Sequence, residues 1–461
     1  MRAAGCRLTG TQGCVRYIPR SPDAIDTMVA PSSVRRMTVR FAGTTAALAV
    51  ALVIIASVNG AGAASHDWYR WRGPDLNGIS PETGWSTAWP SRGPKKLWKV
   101  SVGIGFSSVS VAEGRVYTMG NRNDKDTVYA FDAETGQEIW RHTYDCALDP
   151  RYYEGGTSCT PTVDADRVYT LSRKGHLFCF ATTNGHVIWQ KNISDELGLS
   201  KAKDEIPEWG YASSPLVQDK MLVLNVGSAG TAVDKGTGKL IWSSGKSHAG
   251  YATPVPFDLA GSPAVAIFSA AGLHAVNLSD GKRRWTYDWE TSYDVNAADP
   301  IIRSNRIFIS SGYGRGAAVL EFTASGATKV WENKELRNQI SSSVLIRDHV
   351  YGMDGNNGDR GSSLRCLEFA TGKLKWTDKS ARPGALMAAG EKLIVLNEAG
   401  ELIVANASPD EFRPLARAQV LGGKCWTTPV LSNGRIYCRN AAGDLVAVDV
   451  KAIVAATFPG R

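Results

Sequence analysis

The stretch Ala130-Phe131-Asp132-Ala133-Glu134-Thr135-Gly136-Gln137-Glu138-Ile139-Trp140 returns as Ala232-Val233-Asp234-Lys235-Gly236-Thr237-Gly238-Lys239-Leu240-Ile241-Trp242. Weaker copies end at Trp189, Trp285, Trp331 and Trp376. Each copy reads as a strand end, a turn, and a new strand carrying Trp. In the turn, Asp caps backbone N–H groups and Gly takes positive φ. From Trp140 onward the tryptophans are 49, 53, 43, 46 and 45 residues apart. Recurrence at that interval marks stacked units that share one core.

Upstream of each copy lies a second pattern: small polar residues, often a Pro, then a hairpin and an apolar strand. Ser158-Cys159-Thr160-Pro161-Thr162-Val163 leads to Arg167-Val168-Tyr169, and Thr427-Thr428-Pro429-Val430-Leu431 leads to Arg435-Ile436-Tyr437. Each unit therefore reads as four short antiparallel strands. Eight units begin near Phe106, Thr157, Tyr211, Tyr251, Asn296, Ile340, Gly384 and Trp426. The spacing predicts an all-β, eight-bladed β-propeller over residues 96–450, with Trp98, Trp140, Trp189, Trp242, Trp285, Trp331 and Trp376 packing between blades. The seventh unit ends near Leu415 without Trp, and the eighth lacks its last strand. The orphan strand Lys96-Leu97-Trp98-Lys99-Val100 precedes the first unit. Pairing it with the eighth unit closes the ring and removes an open edge.

The 461-residue chain has a formal charge of +8, but residues 1–64 hold seven Arg, no Lys and two Asp, and so supply most of it. The remainder is close to neutral and carries no basic run, which argues against nucleic acid as a partner. Arg35, Arg36 and Arg40 precede an apolar run from Phe41 to Val58, followed by the small residues 59–65. That is the layout of a signal peptide, expected over 37–64 with cleavage after Ala63 or Ala64. Residues 1–36 are expected to be an extension foreign to the fold, 65–95 an N-terminal arm and 451–461 a tail. Export to the periplasm or surface of a bacterium follows, with no stable membrane span after cleavage and a monomeric propeller. Export permits disulfides, and Cys146 with Cys159 is the local pair to consider. Cys179 and Cys366 fall at equivalent small-residue positions and read as buried free thiols. His176 and His186 flank a hairpin and read as solvent-facing. Gly312-Tyr313-Gly314-Arg315-Gly316 has no helix after it, so it is a hairpin loop and not a phosphate cradle.

The Ala-x-Asp-x-x-Thr-Gly-x-x-x-Trp repeat resembles the quinoprotein-type (PQQ-like) propeller repeat, across nearly all of 96–450. Trp71-Arg72-Gly73-Pro74-Asp75-Leu76-Asn77-Gly78 is similar to the arm that precedes the propeller in exported PQQ-like proteins. The resemblance implies one of two lives. One is the BamB-like non-catalytic branch, which binds other proteins. The other is a dehydrogenase that binds pyrroloquinoline quinone (PQQ) and calcium. The chain lacks the adjacent Cys pair and haem motif of the large alcohol dehydrogenases.

Function is expected in the loops that join one blade to the next at the channel mouth. Under the quinone reading, Trp209, Trp289 or Trp426 stacks on the cofactor, and Arg337 or Lys424 pairs with its carboxylates. Glu154, Asn296 and Asp299 are the candidate calcium ligands, and Asp294 the candidate base. Under the binding reading, the same aromatics together with Tyr153, Tyr211 and Tyr251 form an interaction surface. The leading expectation is an exported scaffold that uses no cofactor and engages envelope proteins or polymers. The alternative is a PQQ- and calcium-dependent alcohol or sugar dehydrogenase. A third class, polymer hydrolysis by Glu154 and Asp294, has little else to support it.

Overall fold

The computed structural model describes residues 66–199 and 206–452. The expected leader and signal segment and most of the expected tail lie outside the described residues. Eight four-stranded antiparallel sheets follow one another around a channel. Blade 1 is built from Ser110–Ala112, Arg115–Arg122, Lys125–Asp132 and Glu138–Asp145. Blades 2 to 7 span residues 162–192, 216–243, 255–288, 301–333, 344–378 and 384–419. Blade 8 takes Val430–Ser432, Arg435–Arg439 and Asp444–Asp449 from the C-terminal side. Its outer strand is Lys95–Ser101, antiparallel to Asp444–Asp449. The described residues hold one short α-helix, Ile193–Leu197, and no helix long and apolar enough to cross a membrane.

The repeat has a mechanical explanation. The register shifts just before each tryptophan, as between Ala130 and Phe131 opposite Trp140. The bulge sets the ring over a small or slim partner: Ala130, Cys179, Ala232, Ala275, Val319, Cys366 and Ala447 lie opposite the seven tryptophans. The ring then meets the turn of the next blade. A Cβ on Gly136 or Gly185 would come within 2.6–2.7 Å of the rings of Trp98 or Trp140, and both glycines have positive φ. The indole N–H completes the joint, from Trp98 to the Ala133 carbonyl (3.1 Å) and from Trp140 to the Thr182 carbonyl (2.8 Å). The Asp-x-x-Thr-Gly turn is thus the socket for the preceding blade's Trp. Within it, Asp132 accepts from the N–H and hydroxyl of Thr135 (2.8 Å each). Blade 5 lacks that turn, and Trp285 packs against Phe322 there without a partner for its indole N–H.

A second joint runs around the channel. The N–H of Ser108 donates to Thr160 Oγ1 (3.1 Å), that of Thr160 to Ser214 Oγ (3.0 Å), and that of Ser214 to Thr253 Oγ1 (3.0 Å). Thr253 N–H continues to Asp299 Oδ1 (2.7 Å), and Asp299 N–H to Ser342 Oγ (2.9 Å). Ser108 Oγ donates to the Thr428 carbonyl (2.8 Å). This belt is the structural meaning of the small polar residue that opens seven of the eight units, in five of them just before Pro. Blade 7 has Ala385 at the matching distance from its hairpin, so the belt has no hydroxyl there.

The N-terminal arm repairs that blade. Ile79–Ser80 adds a fifth, parallel strand against Ala388 and Ala389. Earlier in the arm, Trp68 bridges Val111 of blade 1, and the Tyr69 carbonyl accepts from Val163 N–H of blade 2 (2.7 Å). Later, the Glu82 carboxylate accepts from Asn433 and Gly434 N–H of blade 8. Trp85 and Trp89 pack on the apolar cluster shared by blades 7 and 8, where blade 7 has Ala416 opposite Val404 in place of a tryptophan. The arm therefore crosses the channel and touches blades on opposite sides of the ring.

Two expectations are corrected. Cys146 and Cys159 are both buried free thiols, so that disulfide is not made, and burial pushes each thiol up to about 12. His176 is half-buried, bonded to Ser172 Oγ (3.0 Å) and packed on Tyr144. The histidine that matters for pH is His274, whose Nε2 meets Ser269 Oγ and whose Nδ1 meets Thr286 Oγ1, both at 2.8 Å. Burial, aided by Arg283, lowers its pKa to about 4. Above pH 6.5 both folded and unfolded chains hold it neutral. Between pH 6.5 and 4 the unfolded chain takes up a proton that the folded chain refuses, so stability falls by up to about 3 kcal/mol. We expect His274→Asn to flatten that part of the stability curve in denaturation measured from pH 7 to 4. An unchanged slope would refute the assignment.

Candidate functional site: the aromatic channel mouth

The channel holds a cavity of about 300 Å³. Its wall follows from strand periodicity. Two residues before each belt position, the side chain points into the channel: Phe106, Ser158, Ala212, Tyr251, Ala297, Ile340 and Trp426 all line the cavity. One residue earlier the side chain points back into the blades, because successive residues of an extended chain face opposite ways. Tyr211 and Asn296 occupy that position and are buried. Belt residues Ser214, Thr253, Asp299 and Thr428 form the deeper lining, joined there by Trp71 of the arm.

Trp71 is fixed by its indole N–H, which donates to Asp299 Oδ2 (2.5 Å). The buried Arg72 guanidinium lies 3.6 Å from the same oxygen and also donates to the Ser343 carbonyl of blade 6 (2.8 Å). Burial raises the Asp299 carboxyl and lowers the Arg72 guanidinium, and their mutual attraction opposes both shifts. Among the described residues, Asp299 is the one carboxylate in the cavity lining, and both its oxygens are engaged.

Above this floor stand two arcs of rings. Phe106 contacts Tyr153 at 5.6 Å between centroids and stacks with Trp426 at 5.7 Å. Across from them, Trp209 contacts Tyr251 and Tyr293, each at 6.0 Å, and Tyr293 meets Tyr313 at 5.3 Å. Gln339 spans the gap, donating to the Tyr313 hydroxyl (2.8 Å) and accepting from Asn357 N–H (2.7 Å).

The sequence candidates separate cleanly. Trp209, Trp426, Tyr153, Tyr251 and Asp299 are brought together in the cavity wall. Trp289 is not: it is fully buried, its indole donates to Ser311 Oγ, and the Arg315 guanidinium lies 3.4 Å from its ring centroid. Tyr211 is buried against blade 2, where its hydroxyl accepts from Ser194 Oγ (3.0 Å). Arg337 is held bidentately by Asp354 (2.8 and 2.6 Å), which raises its pKa further. Lys424 sits 4.4 Å over the Trp426 ring and pairs with Glu154 at 2.7 Å. Asn296 spends its amide on the Ser269 and Trp289 carbonyls and accepts from Ser311 Oγ. Asp294 receives His248 Nδ1 at 2.9 Å. Among the described residues no three His, Cys, Asp or Glu side chains gather in a metal-binding group. Glu154, Asn296 and Asp299 each serve a different structural bond.

The sequence reading overlooked Trp71, Phe106 and Tyr313 as site residues. Aligning the units on their belt positions finds Phe106. Tyr313 was discounted with its Gly-rich loop, and Trp71 arrives through an arm whose path no local pattern reveals.

A quinone with several carboxylates calls for cations around it. Among the described residues, the cavity lining contains no Lys, Arg or His. The nearby candidates Arg337 and Lys424 already have carboxylate partners. The residues present do not suit that cofactor.

The family model described as "Outer membrane protein assembly factor BamB" matches residues 82–191 and 124–378, and the chain belongs to that family. No curated protein sequence matches it significantly. Among solved structures, BamB from Moraxella catarrhalis is similar at TM-score 0.56 and 15% identity, covering 77% of this chain and 98% of that one. A quinohemoprotein alcohol dehydrogenase from Comamonas testosteroni is similar at TM-score 0.64 and 13% identity, covering 86% and 82%. A europium-containing methanol dehydrogenase reaches TM-score 0.56 at 12% identity, covering 83% and 89%. At these identities the likeness to solved structures is one of fold.

Proposed function

We propose that this chain is a non-catalytic binding propeller of the cell envelope that holds a protein or polymer at its aromatic channel mouth. The observation that carries this reading is the lining itself. It offers aromatic faces, hydroxyls and amides, while every acid and base singled out for chemistry is tied to a partner. Glu154 and Asp294, the pair a hydrolase would need, are absent from the cavity wall. Membership of the BamB family favours the envelope, in keeping with the expected signal segment.

Titration with PQQ plus calcium, read by tryptophan fluorescence, tests it. We expect no quenching up to about tens of micromolar, since carboxylates brought into this lining would go unpaired. Tight quenching reversed by a chelator would restore the dehydrogenase and retire the binding reading.

A further inference from the structure

The end of the propeller away from the mouth carries a second surface. We infer that the far face of blades 7 and 8 docks on an anionic phospholipid surface, so that the aromatic mouth points away from the membrane.

The position of this face follows from strand direction. The first strand of each blade starts at the mouth, so the hairpin after it lies at the far end. In blade 7 that hairpin joins Gly384–Ala389 to Lys392–Asn397, and in blade 8 it joins Val430–Ser432 to Arg435–Arg439. Asp449 stands opposite Arg435, and Lys95 opposite Asp449, so both belong to the far end as well. Trp85 of the arm bridges Lys451 there.

The chemistry of the face is aromatic and basic. Trp85 and Trp89 pack on the cluster shared by blades 7 and 8 and stay partly exposed. The Lys392 ammonium lies 5.6 Å from the Trp85 ring centroid. The Lys451 stem lies over Gly434, where an added Cβ would collide with it. Arg92, Lys95 and Lys96 are exposed on the stretch that follows Trp89. Among the described residues, none of these cations has an ion-pair partner. The acids nearby are engaged. Glu391 pairs with Arg347 and Glu134 with Arg435, while Asp67, Glu82 and Asp449 accept N–H bonds. A positive excess remains around two indole rings. Indoles favour the headgroup level of a bilayer, and basic side chains beside them are drawn to its anionic surface.

The path of the chain favours lipid over an acidic protein. His66 stands two residues past the expected signal segment and is bonded to this same face. Its N–H donates to Asn433 Oδ1, and its carbonyl accepts from Ser432 Oγ, each at 2.8 Å. The apolar run Phe41–Val58 is therefore joined to the propeller at the face that carries the indoles and the lysines. The cations are few, so the docking is reversible and weakens with salt.

The test is a titration of the full chain with phosphatidylglycerol vesicles carrying brominated acyl chains, read by tryptophan fluorescence. The quenching that belongs to this face is the part lost in Trp85→Phe with Trp89→Phe, which keeps a ring on the core. That readout is local, so any lipid affinity of residues 1–64 does not enter it. We expect this part to saturate, and to need about tenfold more lipid or above when phosphatidylcholine replaces phosphatidylglycerol. Lys95→Glu with Lys96→Glu should raise the lipid needed by about tenfold. Arg122→Glu with Lys125→Glu, an equal charge change at the mouth end of blade 1, should alter it less than about twofold. Thermal melts check that each variant folds. The inference is overturned if Trp85 and Trp89 contribute no quenching, if the two lipids act alike, or if both charge reversals weaken docking equally. Binding of soluble polyglutamate without quenching by the vesicles also overturns it and assigns the face to an acidic protein. The reading of the mouth stands separately, because its residues lie at the other end.

Discussion

Replacing Arg439 by Ala is expected to lower the unfolding free energy by about 3–5 kcal/mol, among the largest effects of any single side chain here. Arg439 ends the middle strand of blade 8 and is fully buried. Its guanidinium reaches across to blade 1 and the segment leading into it. It donates to the carbonyls of Met119 (2.6 Å), Ser107 (2.7 Å) and Gly103 (3.1 Å), and to Thr118 Oγ1 (3.2 Å). No carboxylate pairs with it in these bonds. Burial therefore lowers its pKa, though a guanidinium keeps its proton through the working range. Backbone carbonyls have replaced water around a buried cation, and this happens at the seam where the two ends of the propeller meet. Removing the side chain takes a buried donor from each of those carbonyls. Among the described residues, only that of Met119 keeps another side-chain donor, the Thr157 hydroxyl (3.0 Å). Arg439→Met restores the volume without the bonds and should still lose most of the stability. Denaturant unfolding gives the magnitude, and hydrogen exchange should show blades 1 and 8 opening first. A Met variant as stable as the parent would mean that strand pairing alone holds the seam.

The second large effect is expected at Asp299. Six belt positions carry Ser or Thr, and Asp299 stands among them. Its extra reach lets it hold the arm as well as the belt, through Trp71 and Arg72. Asp299→Ala removes the counter-charge of a guanidinium that is 5% exposed. Breaking a buried pair on one side costs about 3–5 kcal/mol. Asp299→Ser should not rescue it, although Ser restores the residue type of the neighbouring blades, because Arg72 still stands alone. Pairing Arg72→Met with Asp299→Ser should recover much of the loss, and the double-mutant cycle isolates the coupling. Limited proteolysis should find the arm near residues 70–80 cleaved faster in Asp299→Ala. Equal protection in parent and variant would show that the arm is held by its strand on blade 7 and the Glu82 bonds alone.

These two sites explain what could be read in advance and what could not. The blade count, the strand order within a blade and the interblade role of the tryptophans were legible, because each is a local pattern repeated at a fixed interval. Cys179 and Cys366 were legible for the same reason: they stand opposite Trp189 and Trp376, where a small side chain is required. The candidate site was half legible. Trp209, Trp426, Tyr153 and Tyr251 were found because aromatic loop residues are conspicuous. Tyr211 and Asn296 were misplaced because the loops were read as lists of residues without register, and a one-residue shift turns a side chain from the channel into the core. The charged candidates were misassigned because their partners lie far away in sequence. Glu154 meets Lys424, and Asp299 meets Arg72.

The sequence by itself determined the repeat: eight β units, their turns, their sockets and the leftover strand at the front. Those features depend on residues within one or two units of each other. Tertiary structure alone decided which charges are spent, which rings face the channel, and that the arm folds back to bring Trp71 into the cavity wall. Such outcomes depend on contacts between segments separated by hundreds of residues. The closing of the ring brings these together, and no local spacing records them.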